Sequence, residues 1–281
     1  MTLKHLSTPS TKPTENYNPA FFDLLFQIEE KHFWFRARER AISVIAKQIA
    51  ARLKPSYRVL EIGCGTGHVL RALVKSFPRG TVFGMDPYAE GLLYGHQRSS
   101  ALLVQGDIRA LPFSGRFELI GLFDVLEHIP DDEQVLRDLY SLLAPGGALV
   151  LTVPAHPCLW SYFDEAAHHQ RRYRFSELVE KLTKAGYRIE YITPFMASIF
   201  LPVWLSRKAM SFVRRFRGRR LEQAEKLASQ EFKIVPLVNE FLAFCLLQET
   251  SCIARRIRLP FGTSLLAIAR PLTPDQGRGL G

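Results

Sequence analysis

Short runs of apolar residues alternate along the chain with segments in which apolar residues recur every three to four positions. The runs predict strands that are buried on both faces, and the periodic segments predict helices with one apolar face. The predicted strands are Tyr57–Ile62, Thr81–Met85, Leu102–Gln105, Phe117–Leu122, Ala148–Val153, Tyr187–Thr193 and Thr263–Ala269, and the predicted helices among them are His68–Ser76, Ala89–Gln97, Asp132–Leu143 and Phe175–Ala185. This order of elements predicts an α/β protein with a doubly wound sheet and right-handed crossovers.

The same pattern divides the chain into segments. The first residues are rich in Ser, Thr, Pro and Lys, whereas helical periodicity follows up to Lys54 and a long, mostly apolar helical stretch separates the last two strands. The predicted organisation is a disordered arm (1–17), an N-terminal helical cap (18–54), an α/β core (55–194 and 262–270), a helical insertion (195–261) and a disordered tail (271–281).

Composition and charge add one local feature, a patch of positive charge. Of the 281 residues, 47% are hydrophobic and 23% are charged, as in soluble globular proteins, which excludes a disordered chain and a collagen-like fibre. The formal net charge is +10, and seven cations with no acid among them lie between Arg207 and Arg220. Without those seven the net charge would be +3, so the basicity is local and would attract an anionic partner.

The four cysteines, Cys64, Cys158, Cys245 and Cys252, form no C-x-x-C pair, which predicts reduced cysteines in a cytosolic protein. The N-terminus lacks the apolar core of a signal peptide. No apolar run reaches the ~18–20 residues of a membrane span. These features predict a cytoplasmic protein, with peripheral association at the inner face of the membrane as a further expectation.

A glycine-rich loop follows the first predicted strand. Gly63, Gly65 and Gly67 have the spacing G-x-G-x-G, and glycines at such a turn permit positive φ angles and close approach of a ligand to the backbone. Asp86 ends the second predicted strand and Asp107 follows the third. Because ligands bind at the carboxyl ends of strands in such sheets, Asp86 is placed to accept hydrogen bonds from ribose hydroxyls and Asp107 to contact an adenine.

The segments EIGCGTG, GMDP, GDIRALPF, FDVLEHIPDD and LAPGGALVLTVP, in this order, resemble the motifs of class I S-adenosylmethionine-dependent methyltransferases over roughly residues 55–194. The resemblance implies a Rossmann-like seven-stranded sheet of order 3-2-1-4-5-7-6 and S-adenosylmethionine as cofactor. The glycines would face its methionine part, Asp86 its ribose, Asp107 with the Ile108 backbone its adenine, and Phe123 its sulfonium. The full set of cofactor residues that it implies is Glu61, Gly63, Cys64, Gly65, Gly67, Asp86, Pro87, Asp107, Ile108 and Phe123.

A narrower resemblance comes from the segments flanking this core. HFWFRAR at residues 32–38, PAHP at 154–157 and HQRRY at 169–173 are similar to a methyltransferase subfamily encoded beside glycosyltransferases in bacterial surface-polysaccharide clusters. This resemblance implies a small-molecule or lipid-linked glycan as methyl acceptor.

An alcohol acceptor must lose its proton, and the candidate base is His128, because neutral imidazole titrates near physiological pH. Glu127 lies beside it, and His169 comes from the region after the fifth strand, so we assign these three as catalytic residues. The alternative is that His128 caps the following loop or holds cofactor groups.

Asp124, Glu127 and His128 have the spacing i, i+3, i+4, which would place them on one face of a helical turn. With His169 they would offer two oxygen and two nitrogen ligands to a divalent ion, an arrangement similar to that of small-RNA 2′-O-methyltransferases. The favoured interpretation is a metal-free cluster of hydrogen-bonded side chains, and no metal ligand is assigned.

Aromatic and basic residues interleave just before the core. Trp34 or Phe35 could form a cation–π wall over the sulfonium, and Arg38 could bind the cofactor's carboxylate; the alternative is ordinary helix packing. Arg171 and Arg172 could bind an anionic acceptor, although a position on the surface is favoured.

The insertion contains an apolar segment, Phe241–Leu247, whose residues surround the whole helix. Such a helix either faces lipid next to the basic patch or closes over an apolar pocket as a lid. The expected function is O-methylation of a glycan, a lipid-linked sugar or a related small metabolite. A natural-product or quinone-like acceptor is the alternative, and RNA is disfavoured because the cations adjoin bulky apolar residues.

Overall fold

The computed structural model describes residues 20–217 and 232–272. Its strands are β1 (Arg58–Ile62), β2 (Thr81–Asp86), β3 (Leu102–Gln105), β4 (Phe117–Phe123), β5 (Leu143–Pro154), β6 (Tyr187–Phe195) and β7 (Ser264–Pro271). Its α-helices are α1 (Ala20–Ile28), α2 (Phe33–Ala50), α3 (His68–Ser76), α4 (Ala89–Arg98), α5 (Asp132–Leu142), α6 (Tyr162–Ala166), α7 (Phe175–Lys184), α8 (Phe200–Arg217) and α9 (Pro236–Ala254). Two short 3-10 turns, Leu126–His128 and Pro157–Leu159, follow β4 and β5.

The seven strands form one sheet of order β3-β2-β1-β4-β5-β7-β6. The neighbouring strands from β3 to β5 pair in parallel, whereas β7 runs antiparallel to both β5 and β6. This is the predicted Rossmann-like fold, and its carboxyl edge gathers the loops that follow β1, β2, β3, β4 and β5.

Several boundaries and one helix differ from the prediction. β5 begins at Leu143 rather than Ala148, because Leu143 pairs with Phe117 across an irregularity in the register. β7 extends to Pro271, the first residue of the predicted tail. Helix α6 was not predicted, because five residues are too few to show a helical period. The predicted arm and the rest of the predicted tail lie outside the described residues, except for Leu272.

Apolar strand residues alternate between two core layers. One face of the sheet packs against α2, α3 and α9, and the other packs against α5 and α7. Neighbouring residues of one strand divide between them: Val59 belongs to the first layer and Leu60 to the second, and both are fully buried. Burial on both faces explains why the strands appear in the sequence as continuous apolar runs.

Helix α9 is the one helix within residues 20–217 and 232–272 that is long and apolar enough to cross a membrane. It instead packs along α2, with Asn239 accepting a hydrogen bond from the Phe33 backbone and Glu240 pairing with Arg36. Its apolar segment is not in one environment throughout. Leu246 is buried, whereas Phe241 is 65% exposed.

Candidate active site

A cavity of about 840 Å³ lies at the carboxyl edge of the sheet. Its floor consists of the ends of β1, β2 and β4 with their following loops, and its walls come from α1, α2, the 160–170 segment and Phe232. The parallel strands bring the predicted cofactor residues to this single place. All of them line the cavity except Gly67.

The glycine loop needs positive φ angles at all three glycines, which are +72° at Gly63, +47° at Gly65 and +77° at Gly67. Gly63 and Gly65 line the cavity, as predicted. Gly67 instead starts α3 against α4, and a Cβ atom there would lie 2.8 Å from the Cα atom of Gly95. Gly67 therefore lets two helices approach each other, and its predicted contact with the cofactor stays a prediction.

Asp86 joins this loop to the end of β2. Its carboxylate accepts hydrogen bonds from the backbone N–H groups of Gly65 (2.8 Å) and Tyr88 (3.0 Å). Burial raises the pKa of Asp86 to about 6, although these two backbone donors oppose the shift. A carboxylate has about four acceptor sites, so two remain for the hydroxyls of a ribose.

The adenine side of the cavity is less enclosed. Asp107 follows β3 and receives the guanidinium of Arg109, while Ile108 is buried beside it. Phe123 ends β4, and Cys64 and Pro87 line the wall between these positions. The five predicted cofactor residues here lie where a ligand held by Asp86 would extend: Cys64, Pro87, Asp107, Ile108 and Phe123.

Two orphaned polar atoms mark the opposite end of the cofactor half. Glu61 Oε2 and Arg38 Nε are buried and have no hydrogen-bond partner among the described residues. One is an acceptor and the other a donor, which fits the ammonium and carboxylate groups of a bound amino acid. With the glycine loop and Asp86, they fit S-adenosylmethionine.

The structure changes the expectations for the aromatic-basic segment. Arg38 donates to Asp124 and lies over the Trp34 ring, 4.6 Å from its centroid. Phe35 is buried and stacks on Phe232. The Trp34 face is thus already covered by a guanidinium, and binding of the cofactor's carboxylate by Arg38 stays a prediction.

A buried hydrogen-bond network, which no sequence pattern predicted, joins the N-terminal cap to the glycine loop. Glu29 accepts hydrogen bonds from the Thr66 hydroxyl and from Arg98, whose guanidinium also donates to Thr66 at 2.8 Å. Phe22 of α1 lies against Gly65. The N-terminal cap therefore forms one wall of the cavity.

Glu127, His128 and His169 meet beyond the cofactor half. Each offers one ligand atom, and these atoms all lie within 4.8 Å of one another. The rings of His128 and His169 are perpendicular, with centroids 4.8 Å apart. The backbone N–H of Gln170 donates to the Glu127 carbonyl at 2.8 Å, which fixes the loop of His169 beside the turn that carries the other two residues.

Asp124 does not join them, contrary to the prediction. Its φ angle is +58°, so the chain turns before the 3-10 helix, and Asp124 does not share a helical face with Glu127 and His128. Its carboxylate instead accepts hydrogen bonds from Arg38 and from Thr152. The predicted hydrogen-bonded cluster is also absent at Glu127, where neither carboxylate oxygen has a hydrogen-bond partner among the described residues.

His169 has a partner that the sequence analysis missed. Its Nδ1 lies 2.9 Å from Asp164 Oδ1, and Arg172 Nε donates to the same oxygen at 2.7 Å. Although burial opposes the shift, these two neighbours lower the pKa of Asp164. Arg172 is therefore buried rather than on the surface, and Arg171 pairs with Asp132 at 2.9 Å.

Burial, together with the neighbouring His169, lowers the pKa of His128 to about 3. Burial and the nearby Asp124 raise the pKa of Glu127. Because His128 holds a proton so weakly, it is a poor base. His169, whose ring is oriented by Asp164, is therefore a better candidate for the base than His128.

The outer part of the cavity has an aromatic wall that was not predicted. The residues lining it are Trp160, Phe163, Ile199, Val203, Arg207 and Phe232. Arg207, the first cation of the basic patch, is buried and donates to the Ser161 hydroxyl. The patch is thus not wholly a surface feature, and one of its members contributes to the cavity.

The chain was compared with known families and proteins. A family model described as a methyltransferase domain matches residues 33–192. Trans-aconitate 2-methyltransferase from Deinococcus radiodurans is 36% identical over 117 residues, which cover 41% of this chain and 42% of that protein. Ubiquinone biosynthesis O-methyltransferase from Xanthomonas axonopodis is 26% identical over 164 residues, which cover 52% of this chain and 69% of that protein. For the Deinococcus protein and for its counterpart from Azoarcus, the match spans less than half of the relative's length.

Solved structures share the fold. The putative methyltransferase in a complex with the Haloferax volcanii Trm112 activator has a TM-score of 0.55 at 20% identity, covering 90% of this chain and 96% of that chain. An S-adenosylmethionine-dependent methyltransferase from Clostridium acetobutylicum has a TM-score of 0.52 at 12% identity, covering 84% and 92%. At these identities, the likeness establishes the fold and leaves the acceptor to be inferred from the site.

Proposed function

The chain belongs to the methyltransferase domain family, and on that premise we propose that it transfers a methyl group from S-adenosylmethionine to a hydroxyl of a glycan, a lipid-linked sugar or a related small metabolite. The observation that carries the proposal is the cluster of Glu127, His128 and His169, which lines the same cavity as the cofactor residues. A hydroxyl acceptor needs such a cluster because it must give up its proton.

The geometry indicates what the cofactor and the protein each contribute to methyl transfer. S-adenosylmethionine, when bound, supplies an already activated methyl group, so the protein mainly positions the acceptor and excludes water. Asp164 fixes His169 Nδ1 as the hydrogen-bond donor, which leaves the lone pair of Nε2 on the side of Glu127, 4.0 Å away. An acceptor hydroxyl bound at this end of the cavity can donate its proton to this lone pair.

The aromatic wall favours an acceptor with an apolar part. Trp160, Phe163 and Phe232 line the outer cavity, and Phe163 and Phe232 contact each other with ring centroids 5.7 Å apart. A lipid-linked sugar places its sugar at the cluster and its apolar part against this wall. A quinone-like acceptor is the second candidate, since the same wall accepts a planar ring and one relative is named as a ubiquinone-pathway O-methyltransferase.

Transfer of labelled methyl groups tests the proposal. Purified protein is incubated with methyl-labelled S-adenosylmethionine and separate lipid, polysaccharide, small-metabolite and RNA fractions of a cell extract. We expect label in a glycan, lipid or small-metabolite fraction, as a methyl ether that survives mild base. A base-labile methyl ester, label confined to RNA, or cofactor binding with no transfer into any fraction would contradict the proposal.

We also propose that the protein is cytoplasmic and that the outer face of α9 rests on an anionic membrane surface. Leu237, Val238, Phe241 and Phe244 are between 53% and 87% exposed. The run of cations between Arg207 and Arg220 precedes this helix in the sequence, with residues 221–235 between them. Apolar side chains on one helix face beside cationic sequence are typical of helices that lie in the membrane interface.

Replacing Leu237, Phe241 and Phe244 with serine is expected to abolish co-sedimentation with vesicles containing anionic lipid. The wild-type protein should bind these vesicles and be released as salt rises, since each cation near such a surface contributes ~1 kcal/mol. The matched control replaces Leu93 and Leu102 with serine and should leave binding intact. These two side chains are 59% and 54% exposed, and they lie outside α9. No sedimentation of the wild-type protein at low salt would show that the proposed membrane contact is wrong.

A further inference from the structure

Glu127 is a buried ionisable group, and no contact among the described residues accounts for its burial. Its side chain has no exposed surface, and both carboxylate oxygens lack a hydrogen-bond partner among the described residues. An unsatisfied buried polar group costs ~1–3 kcal/mol, and more if it is charged. Nearby buried carboxylates do have partners: Asp86 receives two backbone donors, and Asp164 receives His169 and Arg172. Glu127 therefore lacks the hydrogen-bond donors that Asp86 and Asp164 have.

The distances around Glu127 fit a cation. Metal–nitrogen and metal–oxygen bonds of ~2.0–2.2 Å place two ligand atoms of one ion ~3–4.3 Å apart. Glu127 Oε1 and His169 Nε2 are 4.0 Å apart, which is too far for a hydrogen bond and within this range. His128 completes a set whose ligand atoms all lie within 4.8 Å of one another.

The two imidazoles are already oriented as metal ligands. A metal-binding histidine usually donates its other ring N–H to a carboxylate or a backbone carbonyl, which fixes the tautomer. His169 has Asp164 at its Nδ1, and a hydrogen bond to the His168 backbone holds His128. Arg172 in turn fixes Asp164. This outer shell leaves the lone pair of His169 Nε2 on the side of Glu127, 4.0 Å from Oε1.

We infer that Glu127, His128 and His169 bind one divalent transition-metal ion. Two imidazoles and one carboxylate suit Zn²⁺, Co²⁺, Mn²⁺ or Fe²⁺ better than the all-oxygen preference of Ca²⁺ or Mg²⁺. Three protein ligands leave coordination positions open, which is the arrangement of a catalytic rather than a structural site. The metal-free interpretation favoured by the sequence depended on hydrogen bonds within the cluster, and Glu127 makes none.

The site also specifies the acceptor, a consequence that rests on the proposed function. Open positions on one ion bind two adjacent hydroxyls of a sugar diol or a catechol. An ion-bound hydroxyl loses its proton to solvent more readily, since a bound cation lowers the pKa of a coordinated oxygen. The oxygen then forms a bond to the methyl carbon as the carbon–sulfur bond breaks, giving S-adenosylhomocysteine and a monomethyl ether.

Cobalt binding tests the site without relying on activity. The purified protein is stripped with a chelator, dialysed and titrated with Co²⁺, whose visible absorption bands report nitrogen and oxygen ligands. We expect saturable bands and a rise in Tm, because an ion that binds only the folded state stabilises it. Asp164→Asn should weaken Co²⁺ binding by ~10–100-fold, as the loss of an outer-shell partner does. Glu127→Gln should weaken it more.

Glu127→Gln is expected to weaken metal binding without destabilising the metal-free protein, and this difference separates loss of a ligand from loss of the fold. In the stripped protein this change removes a buried carboxylate without partners, so the Tm without metal should be equal or higher while the shift produced by Co²⁺ disappears. A matched control, Glu90→Gln with His96→Gln on the exposed part of α4, should behave as the wild type. Absence of bands and of a Tm shift in the wild type, or binding that Glu127→Gln leaves unchanged, overturns the metal site.

The outcomes also separate this inference from the proposed function. If the stripped protein transfers methyl groups at the full rate and added ion changes nothing, the metal site is wrong and the proposed function stands. If Co²⁺ binds as expected but no hydroxyl acceptor is methylated, the metal site stands and the proposed function is wrong. Compounds with two adjacent hydroxyls should shift the Co²⁺ spectrum, whereas their mono-deoxy analogues should not.

Discussion

Replacing His169 with alanine is expected to lower turnover by ~10²–10⁴-fold, the range for loss of a side chain that manages a proton in the reaction. His169 is the member of the cluster whose ring is held by a buried carboxylate, at 2.9 Å from Asp164. Its removal eliminates the oriented lone pair beside Glu127 and leaves the cofactor half of the cavity untouched. Steady-state kinetics and calorimetric titration of S-adenosylmethionine measure the two effects separately.

The control for this change is His96→Ala, because His96 is exposed on α4 and should affect neither quantity. His128→Ala distinguishes two roles for the neighbouring ring: a loss equal to that of His169→Ala fits two ligands of one ion, and a much smaller loss fits a packing role for His128. Activity within a few-fold of the wild type for His169→Ala would mean that the cluster does not handle the acceptor hydroxyl.

The cofactor half of the site could be predicted because its signals are local. Gly63, Gly65, Asp86 and Asp107 each follow the end of a strand that appears in the sequence as an apolar run. Parallel strands bring their carboxyl ends to one edge, so identifying the strands also places these residues together. The strand order β3-β2-β1-β4-β5-β7-β6, which the structure confirms, was implied by the resemblance to class I methyltransferases and not by these local signals.

The parts that were missed depend on contacts between distant segments. Arg98 reaches Glu29 across 69 residues, and Asn239 reaches Phe33 across 206. Asp164 lies in a five-residue helix, where its spacing from Ser161 signals only a capping box. Asp164 contacts His169 because the loop after α6 turns back, and hydrophobic periodicity in the sequence does not predict such a turn.

The i, i+3, i+4 spacing at Asp124 was misleading for a related reason. A shared face requires a helical turn from Asp124 to His128, but Asp124 has a positive φ angle and the 3-10 turn begins only after it. That conformation directs Asp124 to Arg38 and Thr152, toward the cofactor half of the cavity. Spacing predicts a shared face only where the backbone is helical throughout.

Helix α9 shows the limit of composition as a guide. Its apolar residues are spread around the helix, and the sequence therefore could not tell a buried helix from one facing lipid. The decision comes from polar residues instead: Asn239 bonds to the backbone of the cap, and Glu249 accepts hydrogen bonds from the Ala197 and Ser198 backbones. These contacts place one face of α9 on the core and leave Phe241 and Phe244 outside.

Asp86→Asn is expected to weaken S-adenosylmethionine binding by more than ~100-fold while the fold is retained by circular dichroism. Each hydrogen bond from a ribose hydroxyl to a charged carboxylate contributes ~1.5–3 kcal/mol, and 1.4 kcal/mol corresponds to a tenfold change in affinity. The change also weakens the link between β2 and the glycine loop, since Asp86 accepts from both Gly65 and Tyr88. Asp138→Asn, on the outer side of α5, is the matched control and should leave affinity unchanged.

The same residue predicts how cofactor binding depends on pH. Burial raises the pKa of Asp86 to about 6 in the free protein, and hydroxyl donors of a bound ribose favour the carboxylate, so its pKa is lower in the complex. Binding and protonation therefore compete: affinity is fully present about one unit or more above pH 6 and falls by up to ~tenfold per pH unit below pH 6, as one-proton linkage requires. Calorimetric titrations of the wild type and Asp86→Asn between pH 5 and 8 isolate this contribution, because the asparagine variant keeps every other titrating group. Parallel pH profiles for the two proteins would show that Asp86 does not hold the ribose.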